Sequence, residues 1–200
     1  MIKNIVFDIG KVLVRLTGKT IWLLFQFPEE ETTAIAKAMF LSSNWNLVDE
    51  GRLSYEEIEQ IFVDSCPAYA DDIRLVFAHF GDCITRFPYT RHWISSLKQQ
   101  GYQVYYLSNY GDFTCQYTRK DLDFCDLMDG GVMSYEVKCL KPDPVIYQNL
   151  FEKYHLKPEE CVFIDDNAAN IDAAKKLWMK TILFQDYFQA QKQLNVLCNK

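Results

Sequence analysis

Residues Cys161–Phe184, CVFIDDNAANIDAAKKLWMKTILF, pack a strand, a helix and a second strand into one short stretch. The run Cys161–Ile164 is apolar without alternation and stops at two adjacent carboxylates, Asp165 and Asp166. A short unbroken apolar run bounded by polar residues reads as a strand buried on both faces. The Lys-rich segment Ile171–Met179 then reads as a helix, and Thr181–Phe184 as the next strand. Strand, helix and strand at this spacing call for parallel strands joined by a right-handed crossover.

Working outward, two further runs have the same form. Asn4–Phe7 ends on Asp8, and Gln103–Leu107 ends on Ser108 and Asn109. Another short strand is expected within Gly130–Glu136. Helices are expected between them. In Tyr89–Gly101, Trp93, Ile94 and Leu97 share one face and Gly101 is a stop signal. In Lys141–Tyr154, Asp143 is placed to cap and Pro144 suits the first helical position, with Ile146, Tyr147, Leu150 and Phe151 recurring at helical spacing. The fold class is therefore α/β, a Rossmann-like doubly wound parallel sheet. In such sheets ligands bind beyond the carboxyl ends of the strands. Asp8, Ser108, Asn109, Asp165 and Asp166 are the first polar residues at those ends, so they converge if their strands are neighbours.

Residues 17–87 differ in character. Glu29–Phe40 opens with acids that favour a helix N-terminus. Ser54–Glu57 forms a capping-box pattern, and Asp71–Phe80 is another helical start. We expect an inserted helical cap over 17–87 and an α/β core made of 1–16 and 88–200. An insert of about seventy residues exceeds an ordinary crossover, and at the carboxyl end of a strand it is placed to cover the site and select the substrate.

The totals narrow the partners. The 200-residue chain is 49% hydrophobic and carries a net charge of -6, which argues against nucleic acid, where a basic face supplies most of the affinity. Seven cysteines without a CxxC pair read as thiols in a reducing compartment, and the three histidines lack zinc-ligand spacing. The longest apolar stretch, Ile21–Phe27, is far short of the roughly 20 residues of a membrane span. With no basic leader ahead of the first strand-like run, the expectation is a cytoplasmic protein, with no membrane partner and with monomer or homodimer left open.

At this point the chain resembles the haloacid dehalogenase-like hydrolase superfamily, in which most members are phosphatases using an aspartate nucleophile and magnesium. FDIGKVLV (7–14), YYLSNY (105–110), CLKPDPVIY (139–147) and FIDDNAANIDAAKKLWM (163–179) are similar to its four motifs, in order, with the cap in the right gap. The resemblance implies that Asp8 is the nucleophile and that Ser108, with the backbone N–H of Asn109, binds phosphoryl oxygens. It implies that Lys141 is the phosphate-binding lysine. Magnesium would be held by Asp8, Asp165 and the carbonyl of Gly10, with Asp166 acting through waters or by orienting Lys141. The chemistry is consistent with these roles. A carboxylate can form an aspartyl-phosphate, and magnesium prefers oxygen ligands shared with a substrate phosphate. Taken singly, Asn167 and Asn170 read as caps or loop braces, and Lys11 as a solvent-facing residue in a tight turn.

Two departures stand out. Where most family phosphatases have a second Asp that protonates the leaving group, this chain has Gly10. General acid–base help is worth about 10²–10⁴-fold, so good leaving groups should be favoured over simple alkyl phosphates. The Asp-x-Gly-x-Val pattern also resembles a branch of sugar-1-phosphate phosphatases. Trp178 stands where glycine is usual before the last strand. The expected function is a magnesium-dependent phosphatase of a small phosphorylated metabolite, with sugar phosphates among the candidates. The alternatives are a metal-independent haloacid dehalogenase, a phosphomutase, and a catalytically silent member that binds a phosphorylated ligand or a partner protein.

Overall fold

The computed structural model describes residues 1–16 and 25–198. The start of the expected insert, and with it most of the apolar stretch Ile21–Phe27, lies outside them. The central sheet has five parallel strands in the order β5-β4-β1-β6-β7. These are β1 (Asn4–Phe7), β4 (Gln103–Ser108), β5 (Gly130–Met133), β6 (Cys161–Asp165) and β7 (Lys180–Leu183). β1 is flanked by β4 and β6, with Phe7 level with Tyr106 on one side and Ile164 on the other. One residue further on, Asp8 is level with Leu107 and Asp165. The three polar strand ends are therefore neighbours, as the doubly wound reading requires.

Alternation along the strands sends side chains to two separate cores. Ile5, Phe7, Val104, Val162 and Ile164 face one side, against Trp93, Ile94 and Leu97 of α5 (Thr90–Gln99) and Ala190 and Leu194 of α10 (Tyr187–Cys198). Val6, Tyr105, Leu107, Val132 and Phe163 face the other. There they meet Ile146, Tyr147 and Leu150 of α8 (Pro144–Tyr154) and Ile171 and Ala174 of α9 (Ala168–Lys176). Trp93 and Phe7 are fully buried edge to face, with centroids 4.7 Å apart. Burying side chains of this size stabilises by about 1.5–3 kcal/mol each. Asp143 caps α8 by accepting from the Val145 N–H at 2.9 Å.

The insert contributes α1 (Glu29–Ala38), α2 (Trp45–Glu50), α3 (Tyr55–Ser65) and α4 (Ala70–His79). The capping box at Ser54 is present in both directions. Trp45, Tyr55, Phe62, Phe77 and Phe80 form an aromatic cluster. Phe113, from α6 (Asp112–Tyr117), enters it at 5.3 Å from Phe77, so the loop after β4 is pinned to the insert.

The sequence reading did not foresee a two-stranded antiparallel ribbon where the chain leaves and rejoins the sheet region. It is made of β2 (Val14–Leu16) and β3 (Ile84–Arg86), paired Val14 to Arg86 and Leu16 to Ile84. Three residues are too few to display a period-2 pattern. α2 was also missed, because six residues carry little periodicity. It ends at Gly51, whose φ of +62° is left-handed and where an added Cβ would lie 2.7 Å from Tyr135 Cβ. Trp178 takes a left-handed φ of +69° where glycine was usual, and its side chain is 80% exposed.

Candidate active site

The site lies at the carboxyl ends of β4, β1 and β6, where residues leaving the hydrogen-bond ladder turn their side chains into one crevice. Asp8, Ser108, Asn109, Lys141, Gly10 and Asp166 all line a cavity of about 310 Å³. Asp165 lies beneath it, fully buried.

Asp8 Oδ1 accepts from Ser108 Oγ at 2.8 Å and from the Ile9 N–H at 2.7 Å, and Lys141 Nζ is 2.9 Å away. These contacts aim one carboxylate oxygen by three donors. Burial raises the Asp8 carboxyl to about 6, with Lys141 opposing that rise and Asp165 adding to it. Lys141 is itself buried. Its ammonium lies 2.7 Å from Asp165 Oδ2 and donates to the Leu107 carbonyl at 2.9 Å. Burial works to lower the lysine, but the carboxylates of Asp8 and Asp165 outweigh it and hold Lys141 above its ordinary value.

The expectation that Asp166 orients Lys141 does not describe this arrangement. Asp165 does so, because it is the residue level with Asp8 on the neighbouring strand. Asp166, one residue past the end of β6, also faces the cavity but pairs with Lys11 at 3.2 Å. Lys11 sits in a turn with a φ of 59° and is largely exposed, as expected. Asn167 caps α9 by accepting from the Ala169 N–H at 2.9 Å.

Two supporting residues escaped the sequence reading of side chains. Asn109, expected to act through its N–H, also uses its side chain on the Lys141 peptide. Its Oδ1 accepts from the Lys141 N–H at 2.7 Å, and its Nδ2 donates to the Lys141 carbonyl at 3.0 Å. Asn170 does more than brace a loop: its Nδ2 donates to both oxygens of Asp165, at 3.2 and 3.0 Å. Both lie inside the quoted motifs, but a lone amide does not disclose its tertiary partner, so only the placement of their elements reveals these contacts.

A third residue is new to the site. Asp49, on α2 of the insert, lines the same cavity with Trp45 one helical turn before it. Its carboxyl is buried, and that burial, then the charge of Asp8, raise it to about 7 against the Gly111 N–H and Lys141. The α2 backbone is fixed from the core side. Ser134 Oγ donates to the Asp49 carbonyl and accepts from the Tyr110 N–H at 2.8 Å. Gly111 packs so close that a Cβ there would collide with the Val48 carbonyl.

Carboxylate oxygens of Asp8, Asp165 and Asp166 all lie within 4.8 Å of one another. Three carboxylates share one buried ammonium and the exposed Lys11, which leaves surplus negative charge on an all-oxygen donor set. Such a set fits a hard divalent cation.

The family model for the haloacid dehalogenase-like hydrolases matches residues 2–177. A D-ribitol-5-phosphate phosphatase from Bacteroides thetaiotaomicron is 26% identical over 212 residues, covering all of both chains. A solved haloacid dehalogenase family enzyme from the same organism superposes with a TM-score of 0.74 at 22% identity, over 100% of this chain and 99% of that one. The L-2-haloacid dehalogenase from Xanthobacter autotrophicus superposes with a TM-score of 0.68 at 17% identity, over 98% of this chain and 83% of its own. Four motifs in order, their meeting at one crevice and the matched length give one result: the chain belongs to the haloacid dehalogenase-like hydrolases.

Proposed function

We propose that the protein is a magnesium-dependent phosphatase of a small phosphorylated metabolite, acting through an aspartyl-phosphate on Asp8. The observation that carries this reading is the buried Lys141 ammonium shared by Asp8 and Asp165 beside a third carboxylate, Asp166. Asp8 is the nucleophile, held at one oxygen by Ser108 and Lys141, so the other is free to approach phosphorus. When substrate enters, the Ser108 hydroxyl turns its one proton from Asp8 to a phosphoryl oxygen and the Asn109 N–H donates to another, while Lys141 neutralises the charge that gathers as two anions approach. Asp8, Asp165 and the Gly10 carbonyl would hold magnesium, with Asp166 beside them. Bound there, the ion supplies positive charge to the phosphoryl group and to Asp8.

Residues 17–87 act as the cap over a core of 1–16 and 88–200. A cavity of about 310 Å³ suits a small ester rather than a macromolecule. Thr114 and Asn170 also line it, and among the described residues Thr114 Oγ1 and Asn170 Oδ1 are buried without a partner. Such groups support a hydroxyl-bearing substrate, of the class named for the D-ribitol-5-phosphate phosphatase relative. The surplus of carboxylates disfavours the metal-independent dehalogenase reading.

The test is hydrolysis of p-nitrophenyl phosphate with magnesium and with chelator, for the native chain and for Asp8→Asn. Magnesium-dependent turnover lost in the variant supports the phosphatase. Metal-independent release of halide from a 2-haloacid would replace it, and neither activity would leave a binding protein.

A further inference from the structure

Gly10 leaves the nucleophile without a neighbouring acid, and nothing local demands glycine there. Gly10 is absent from the left-handed positions, and a Cβ built on it meets no atom within 4 Å. The space beside Asp8 is open, and across it the insert brings a carboxyl into the same cavity. We propose that Asp49 is the proton donor and acceptor that Gly10 lacks, an inference that rests on the phosphatase reading above.

The geometry favours this role over a structural one. Lys141 directs its ammonium to Asp8 and Asp165, so Asp49 is left outside that ion-pair network. Its backbone is anchored from two sides, by Ser134 and by the close packing of Gly111, which fixes the stretch of α2 from which the carboxyl enters the cavity. The other charged groups on elements packed around α2 are engaged elsewhere. Glu50 pairs with Arg52, Glu136 with Lys153, Asp112 accepts from the Phe113 N–H, and Lys138 Nζ donates to the Gly51 carbonyl. Tyr110, beside Asp49, is held neutral by burial. Asp8 and Lys141 are the charges that act on Asp49, in opposite directions. Burial keeps the Asp49 proton available near neutral pH.

The two steps balance. As Asp8 attacks phosphorus, the bond from phosphorus to the leaving oxygen breaks with its electron pair on oxygen, and the Asp49 carboxyl proton passes to that oxygen. In the second step a water oxygen attacks phosphorus and one of its protons returns to Asp49. The bond to Asp8 breaks, and phosphate is released.

The experiment compares kcat/KM on a primary alkyl phosphate with that on p-nitrophenyl phosphate, whose leaving group needs no proton. Asp49→Asn should lower both and cut the alkyl-to-aryl ratio by about 10²-fold or more. Gly10→Asp should restore the ratio in the Asp49→Asn background and raise it far less in the native one. For the native chain the ratio should fall as pH rises through about 7, and in Asp49→Asn that dependence should vanish. An unchanged ratio in Asp49→Asn, or a native chain that hydrolyses the aryl ester but no alkyl ester, overturns this inference and leaves the phosphatase reading intact. A native chain inactive on both esters with magnesium overturns both. If Asp49→Asn is unfolded by thermal melting, the Gly10→Asp comparison in the native background decides: a gain of about tenfold or more there overturns the inference, and a smaller gain upholds it.

Discussion

Lys141 Nζ stands 2.7 Å from Asp165 Oδ2, a fully buried ion pair that links the loop before α8 to the end of β6. The same ammonium is 2.9 Å from Asp8. One cation therefore balances two buried carboxylates on adjacent strands. Removing it leaves both without their partner.

Lys141→Met keeps the length and apolar stem of the side chain and deletes the charge. Breaking a buried pair at one partner costs about 3–5 kcal/mol. We expect a loss of that size in chemical denaturation without metal. Magnesium should recover part of it by neutralising the same carboxylates, and turnover should stay below a hundredth of native.

Asn109→Ala removes both hydrogen bonds that hold the Lys141 peptide. Leaving buried peptide groups unpaired costs about 1–3 kcal/mol. The expected outcome is a destabilisation in that range, read from denaturant titration. Weaker competitive inhibition by inorganic phosphate should accompany it, because the backbone that carries the ammonium is no longer fixed.

Magnesium should raise the melting temperature in the absence of substrate. At a hundred times its dissociation constant a ligand bound only by the folded state adds about 2.7 kcal/mol. Asp165→Asn should abolish the shift and Asp166→Asn should weaken it, both measured by thermal melting and calorimetric titration.

Gly111→Ala places a methyl against the Val48 carbonyl and pushes α2 away from the loop after β4. The Lys141 cluster is untouched. Overpacking of this kind costs about 1–3 kcal/mol. Aryl phosphate turnover should fall modestly, and alkyl phosphate turnover should fall much further, since it alone depends on where Asp49 stands.

Much of the fold was legible because buried parallel strands write themselves as unbroken apolar runs. Asn4–Phe7, Gln103–Leu107 and Cys161–Ile164 are such runs, and their first polar residues fall together in space. The candidate site was legible to the same depth: residues at strand ends and in motifs were found. Asp49 was not, because it lies on a six-residue helix whose periodicity is too short to read and in an insert with no motif. The partners of Asn109 and Asn170 were hidden for a different reason. A lone amide satisfies a cap or a turn as readily as a tertiary contact, and only the three-dimensional placement of its element decides between them. The ribbon of β2 and β3 was invisible because three-residue strands are specified by the chain crossing there, not by alternation.

That ribbon has an architectural consequence. By pairing Val14 with Arg86 it sets the two ends of the insert side by side, as close as a hairpin would. The five-stranded sheet is thus indifferent to how many residues lie between Leu16 and Ile84. A lineage could exchange that whole segment for another, and with it the walls and proton chemistry of the cavity, without moving one backbone hydrogen bond of the central sheet.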